Sequence, residues 1–510
     1  MRCFLMNSRR SFLTSVASIP VLAAAPAHAA AGPGTNAPRK SAPGTPRPEG
    51  TRNVIHMVAD GTSMGMLSLA NHFSEQHRGR PLTWFRLYQN PAAQIAFMDM
   101  RSQNSLVTDS SAASSSWGSG VRIPNGKVNQ TSKGASLTTL YELVRDAGWK
   151  RGLVTTTEIT HATPAGFAAS VSSRNDANDI AVQYLDRRID LLLGGGRDYF
   201  AADKRKDKRD LRGEFAAAGY AVLQSPADLR KAPSSQPWLG IFSGGHLPFL
   251  VDQVGGITPA ADIPSLADMA GAALKKLSVE PHFILQVEGG RVDHGCHNND
   301  AAAAVRELVA FDEALDVCLA FQKESPGTLI IITTDHSTAN PGLNGMGDNY
   351  VKSPELFHHL GAVKQSAPEI LKRLRLAESQ AQAAAVLSSA TGYLPSTRRL
   401  ETFDPFLKKK GYALFDGQNS DNSALSLILA NHVGISFTST AHTSDFVPLI
   451  ALGPGSDRFR GFIRNTDIFG HYLDFARIQF KNPQEPLVTD AGSPEPDPHL
   501  AERVHEYMLA

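Results

Sequence analysis

Three stretches decide the fold: Asn53-Val-Ile-His-Met-Val-Ala-Asp60, Phe283-Ile-Leu-Gln-Val-Glu288 and Leu329-Ile-Ile-Ile-Thr-Thr-Asp335-His336. Each is a short, near-continuous apolar run ended by a carboxylate. Runs of this length without strict alternation read as strands buried on both faces. Residues 150–158 (KRGLVTTTE) read the same way. Helical patterns at 137–148, 263–277 and 300–321 separate them, and a last strand at 446–452 leads to a helix at 466–477. Strands alternating with amphipathic helices predict an α/β fold: a three-layer α/β/α sandwich around a large, mostly parallel sheet. There is no internal repeat.

In open α/β sheets ligands bind at the carboxyl ends of the strands. Asp60, Glu288 and Asp335-His336 all fall there, which points to one shared site. The densest cluster is Glu288-Gly-Gly-Arg-Val-Asp293-His294-Gly-Cys-His297. Asp293 and His297 are four apart, so a helical turn sets both on one face. A carboxylate and an imidazole so placed suit Zn2+. Asp335-His336 offers a second oxygen and nitrogen pair, and His442 is a further histidine candidate. Val107-Thr-Asp109-Ser110-Ser111-Ala-Ala-Ser114-Ser115-Ser116-Trp117 is a small-residue run that opens a helix. It puts a hydroxyl and free N–H groups at a helix N-terminus, a natural phosphate site. A hydroxyl is a poor nucleophile unaided, so neighbouring cations make Ser110 credible.

The rest of the chain bounds the answer. Of 510 residues, 42% are apolar and 19% charged, an ordinary globular composition. A net charge of +1 gives no electrostatic case for a nucleic-acid partner. Residues 1–29 carry Ser8-Arg9-Arg10-Ser11-Phe12-Leu13, an apolar stretch and Ala27-His28-Ala29, which reads as a twin-arginine signal peptide. Cleavage after Ala29 removes Arg2, Arg9 and Arg10 and takes the net charge from +1 to −2. The expected location is periplasmic or secreted, with no membrane span after signal removal. Residues 30–50 are a Pro-rich leader. Cys3 leaves with the signal. Export permits a bond between Cys296 and Cys318, but two cysteines make no framework, and Cys318 sits in a helical pattern that reads as core.

In their order along the chain, Val58-Ala-Asp60-Gly, Val107-Thr-Asp109-Ser110, His161-Ala-Thr163-Pro-Ala, Ser172-Ser-Arg174, Leu193-Gly-Gly-Gly196, Val287-Glu288 through His297, Thr334-Asp335-His336 and His442-Thr443 resemble the alkaline phosphatase family. The likeness runs over roughly 50–340 and 435–480. It implies a metal-dependent phosphomonoesterase that works through a phosphoserine and releases inorganic phosphate from small phosphate monoesters. Asp293, His297 and His442 would hold one zinc ion, and Asp60, Asp335 and His336 a second. Asp60 would also reach a third, magnesium-type ion with Thr163 and Glu288. Ser110 would be the nucleophile. Arg174 would clamp the phosphate with Asp109 beside it. The resemblance also leaves room for a homodimer.

Three departures accompany it. Ser114 and Ser115 stand where the family expects Gly or Ala, then Thr, although Trp117 and Gly120-Val121 keep the register on Ser110. His161 and His294 stand where the enterobacterial-type enzyme has Asp and Lys; animal and some marine bacterial members carry His at both. Imidazoles around the third ion would admit Zn2+ or Co2+ in place of Mg2+. The stretch between His336 and His442 is long and more polar. It is expected to be a crown-like insertion over 341–434, between a core of 51–340 and its last part with a C-terminal tail, 435–510. A phosphodiesterase or sulfatase of the same superfamily is disfavoured by Arg174, Glu288 and Thr163. A non-catalytic phosphate- or metal-binding protein is disfavoured by Ser110.

Overall fold

The computed structural model describes residues 50, 52–259, 262–347, 349–401 and 415–488. The signal peptide, residues 30–49 of the leader, the end of the C-terminal tail and the Lys-rich stretch around 407–411 lie outside them.

Ten strands form one sheet. They are β1 (Arg52–Val58), β2 (Gln94–Asp99), β3 (Lys150–Glu158), β4 (Leu191–Gly195), β5 (Ala221–Leu223), β6 (Trp238–Ile241), β7 (His282–Glu288), β8 (Thr328–Thr333), β13 (Val447–Leu452) and β14 (Gly461–Arg464). Four two-residue strands, β9 (Ser337–Thr338), β10 (Gly342–Leu343), β11 (Ile435–Ser436) and β12 (His442–Thr443), lie outside it. The order is β14-β2-β13-β8-β1-β7-β3-β4-β6-β5, and only β13 runs antiparallel to its neighbours. The fold is the expected α/β one around a mostly parallel sheet. Parallel strands need long crossovers, and the helices that supply them cover both faces.

Strand alternation divides the core. Ile55 and Met57 of β1 point to one face with Ile330 and Ile332 of β8, under the helices Met64–Arg78, Leu266–Leu277 and Ala301–Glu324. Val54 and Val58 point to the other with Leu329 and Ile331, under the helices Ser110–Ser119, Ala162–Ala168 and Asp467–Ala476. Both sets are essentially without solvent contact. This two-sided burial is why the strands read as near-continuous apolar runs.

Register then positions the site. Val58 pairs with Glu288 on one side and Thr333 on the other. The residues that follow, Asp60 and Asp335-His336, therefore emerge beside Glu288 at one edge. Gly61 has φ +70, and a Cβ there would stand 2.5 Å from Asp293 Oδ1, so only glycine admits this approach. Helices Ser110–Ser119 and Ala162–Ala168 also touch closely. A Cβ on Gly118 would fall 1.9 Å from the Gly166 carbonyl oxygen, so helix Ser110–Ser119 reaches helix Ala162–Ala168 only through small residues.

Between β8 and β13 the described chain adds no strand to this sheet. Helices Ala367–Leu374, Gln380–Thr391 and Asp421–Val433 close around Ile370, Leu371, Leu374, Leu387, Leu425 and Ile428. Asp300 ties this layer to the rest: its carboxylate caps helix Ala301–Glu324 at Ala303 N–H (2.9 Å) and accepts from Ala367 N–H (2.6 Å). The chain returns through β12, which pairs antiparallel with β9 and sets His442 opposite Thr338. Cys296 and Cys318 are both buried free thiols, so the bond that export permits is not formed. No described helix is long and apolar enough to cross a membrane.

Candidate active site

The carboxyl edge of the sheet gathers three groups of potential metal ligands: Asp293, His297 and His442; Asp60, Asp335 and His336; and Asp60, His161 and Glu288. Within each, the ligand atoms lie within 4.8 Å of one another. In the first, His297 Nε2 is 3.3 Å from Asp293 Oδ2, and His442 Nε2 is 3.8 Å from Asp293 Oδ1. In the second, His336 Nε2 is 3.2 Å from Asp335 Oδ2 and 3.5 Å from Asp60 Oδ1. The two groups adjoin, since the His336 and His442 rings stack with centroids 3.6 Å apart.

The donor set fits cations. His297 and His442 each direct Nδ1 at a main-chain oxygen, Thr440 O at 2.6 Å and Thr108 O at 2.8 Å. A carbonyl only accepts, so both rings carry the proton on Nδ1. In the neutral rings the Nε2 lone pairs face each other at 3.0 Å, an arrangement that an intervening cation relieves. Both Asp60 oxygens and Glu288 Oε1 are buried with no hydrogen-bond donor. Burial, with the charges of Asp335, Asp293 and Glu288 added, lifts the Asp60 carboxyl well above its ordinary range. Burial likewise pushes Glu288 up to about 7, against a hydrogen bond from Thr155 Oγ1 (2.5 Å). Carboxylates packed this way need either protons or a cation.

Ser110 is the first residue of its helix and lies buried with Oγ 3.1 Å from His336 Nε2. Asp109 is the N-cap. Its Oδ1 accepts from Ala112 N–H (2.8 Å), and its Oδ2 accepts from Ser111 Oγ (2.7 Å), Gly126 N–H (2.9 Å) and Arg174 Nη1 (3.3 Å). Ser114 donates to the Thr163 carbonyl (2.6 Å), and Ser115 Oγ accepts from Asn129 N–H (3.0 Å), so the two departing serines fasten the helix that begins at Ser110. Thr163 presents a buried hydroxyl beside Glu288.

His161 occupies the N-cap position of helix Ala162–Ala168 but makes no side-chain capping bond. Arg174 Nη2 donates to its Nε2 (3.2 Å), so the neutral ring carries its proton on Nδ1, which is buried and without a partner. Burial lowers the ring's pKa to about 3. His294 Nδ1 accepts from Arg291 Nη1 (2.6 Å), and its ring lies 5.5 Å from that of His161. Sequence reasoning missed His246, whose ring lies 4.5 Å from that of His294 and 5.7 Å from that of His161. It follows β6 in Ser243-Gly-Gly-His246, so the strand-end rule that found Asp60 could have found it.

The family model for alkaline phosphatase matches residues 51–478. Alkaline phosphatase 3 of Bacillus subtilis is 32% identical over 433 residues, covering 82% of this chain and 87% of that protein. The crystal structure of Thermus thermophilus alkaline phosphatase superposes with a TM-score of 0.80 at 31% identity, over 86% of this chain and 93% of that one. The cold-active alkaline phosphatase of a psychrophilic Shewanella gives a TM-score of 0.69 at 25% identity, over 83% and 99%. The chain belongs to the alkaline phosphatase family of phosphomonoesterases.

Proposed function

We propose that this chain hydrolyses phosphate monoesters through a phosphoserine on Ser110. The observation that carries the reading is the placement of Ser110 Oγ against His336, between cation-type donor groups, while Asp109 holds Arg174 next to it. Asp293, His297 and His442 would hold one zinc ion, and Asp60, Asp335 and His336 another. Asp60, Glu288 and Thr163 would hold a magnesium-type ion. Divalent cations held by these residues would supply positive charge to the entering and leaving oxygens of an in-line displacement.

Arg174 grips two non-bridging oxygens with its planar guanidinium. Ser110 Oγ gives up its proton and attacks phosphorus, and the alcohol leaves from the opposite side and takes up a proton. Water then cleaves the Ser110–phosphate bond, returning a proton to Ser110 Oγ and releasing inorganic phosphate. His161, proton on Nδ1, would offer that N–H as a donor beside the third ion's site. The 341–434 segment is an insertion in the core. Arg9 and Arg10 direct export by the twin-arginine route to the periplasm or beyond. Replacing both with Lys should leave precursor in the cytoplasm.

The test is phosphate release by purified protein from a chromogenic monoester, a diester and a sulfate ester, before and after chelation. Monoester turnover that disappears on chelation and returns with Zn2+ plus Mg2+ is expected. Turnover indifferent to chelation, or faster on the diester, would overturn the reading.

A further inference from the structure

Thr338 lies on β9, is fully buried, and is assigned no part in the cation groups described above. Its one hydroxyl makes two contacts. It donates to Asp293 Oδ1 at 2.6 Å, and His336 Nδ1 lies 3.1 Å from the same Oγ1. A hydroxyl has one proton and two lone pairs. With that proton committed to an acceptor-only carboxylate, Oγ1 must accept from His336, which puts the ring proton on Nδ1. His336 Nε2 is left as a lone pair aimed between Asp60 and Asp335. The strand pairing adds a third link, since Thr338 is registered opposite His442. One side chain thus orients a ligand from each of two different groups: Asp293 from the first and His336 from the second.

We infer that Thr338 is a positioning residue that couples the two zinc sites, fixing the carboxylate of one and the imidazole tautomer of the other. This rests on the metal assignment proposed above. Hydrogen bonds to metal ligands set ring orientation and basicity, and their loss typically costs about 10–100-fold in metal affinity. Both sites should weaken together when the hydroxyl is lost, because Asp293 is freed to turn and the neutral His336 ring is free to move its proton from Nδ1 to Nε2. Serine keeps the hydroxyl and should keep both affinities. Valine keeps the shape and lacks the hydroxyl.

The experiment is competitive Zn2+ titration of the metal-free protein against a chromophoric chelator, for wild type, Thr338→Ser, Thr338→Val and Thr338→Ala. Thermal unfolding of each metal-free protein is recorded alongside. The expected result is two tight zinc equivalents in wild type and Thr338→Ser, with both weakened about 10–100-fold in Thr338→Val. Thr338→Ala reports the same loss should the buried valine prevent folding. Weakening of only one equivalent, or of neither, in a folded Thr338→Val or Thr338→Ala variant would overturn the coupling. Zinc loss in Thr338→Ser equal to that in Thr338→Val would also overturn it. Failure of wild type itself to bind zinc would overturn the metal assignment, and the coupling with it.

Discussion

Asp109 caps the helix that begins at Ser110 with one carboxylate oxygen and holds Arg174 with the other, so Ser110 and Arg174 share one anchor. Arg174→Ala should remove charge-assisted hydrogen bonds worth about 1.5–3 kcal/mol each. At about 1.4 kcal/mol per decade, kcat/KM for a monoester should fall roughly 10–1000-fold. A diester, with less charge to grip, should lose less. Equal losses on the two substrates would contradict the clamp.

Asp109→Ala tests the shared anchor. Loss of the cap should cost about 0.5–2 kcal/mol of stability in denaturant unfolding. The same variant should lower kcat/KM, because the guanidinium loses its carboxylate. A stability loss with unchanged kcat/KM would show that Arg174 is held by other contacts.

The opposed lone pairs of His297 and His442 predict a metal-dependent melting temperature. Chelation should lower it, and Zn2+ should restore it, with about 2.7 kcal/mol of stabilisation at a free concentration of 100 Kd. Calorimetry checks this. A melting temperature indifferent to chelator and to Zn2+ would count against a cation between these rings.

Much of this site was legible in the sequence because its residues are tied to strand ends. Asp60, Glu288 and Asp335-His336 each follow a run buried on both faces, and the i, i+4 spacing of Asp293 and His297 is local. Other parts were not legible. β2 exposes Ile95 and Phe97 while burying Ala96 and Met98 near the sheet edge, so it lacks the doubly buried signature. β4, β5 and β6 have three to five residues each, too few for a period to show. Thr338 owes its role to a contact with Asp293 across 45 residues of chain, for which no local pattern exists, and His246 follows a strand too short to mark its own end. Asp109 as N-cap, rather than a serine of the run, is likewise settled only by backbone geometry.

His161 stands between Arg174 and the carboxylates of Asp60 and Glu288, with its pKa lowered to about 3 by burial, so it adds no positive charge near neutral pH. His161→Asp adds a negative charge there and should tighten Mg2+ by about 10–100-fold, the usual scale for changes around metal ligands. Calorimetric Mg2+ titration of the zinc-loaded proteins checks it. Identical affinities would leave His161 with a packing role.

Glu307 predicts a pH dependence away from the site. Burial lifts its carboxyl from 4.5 to about 7, against a hydrogen bond from Leu250 N–H (2.8 Å) and the charge of Arg291. The folded protein therefore favours the protonated form. That stabilisation is full below 4.5 and is lost as pH rises through about 7. Glu307→Gln keeps an acceptor for Leu250 and stays neutral. Relative to wild type it should gain on the order of 1–3 kcal/mol between mildly acidic and mildly alkaline pH, read by urea unfolding at both. A difference between the two proteins that does not change with pH would contradict the shift.

The covalent step on Ser110 is tested most directly by acid-quench trapping. Protein is mixed with a monoester carrying labelled phosphate and quenched within the first turnovers, then digested and mapped. The label is expected on Ser110, and it should be absent from the Ser110→Ala variant. Label on Ser111 or Ser114, or turnover with no trapped phosphoserine under any quench condition, would contradict the account.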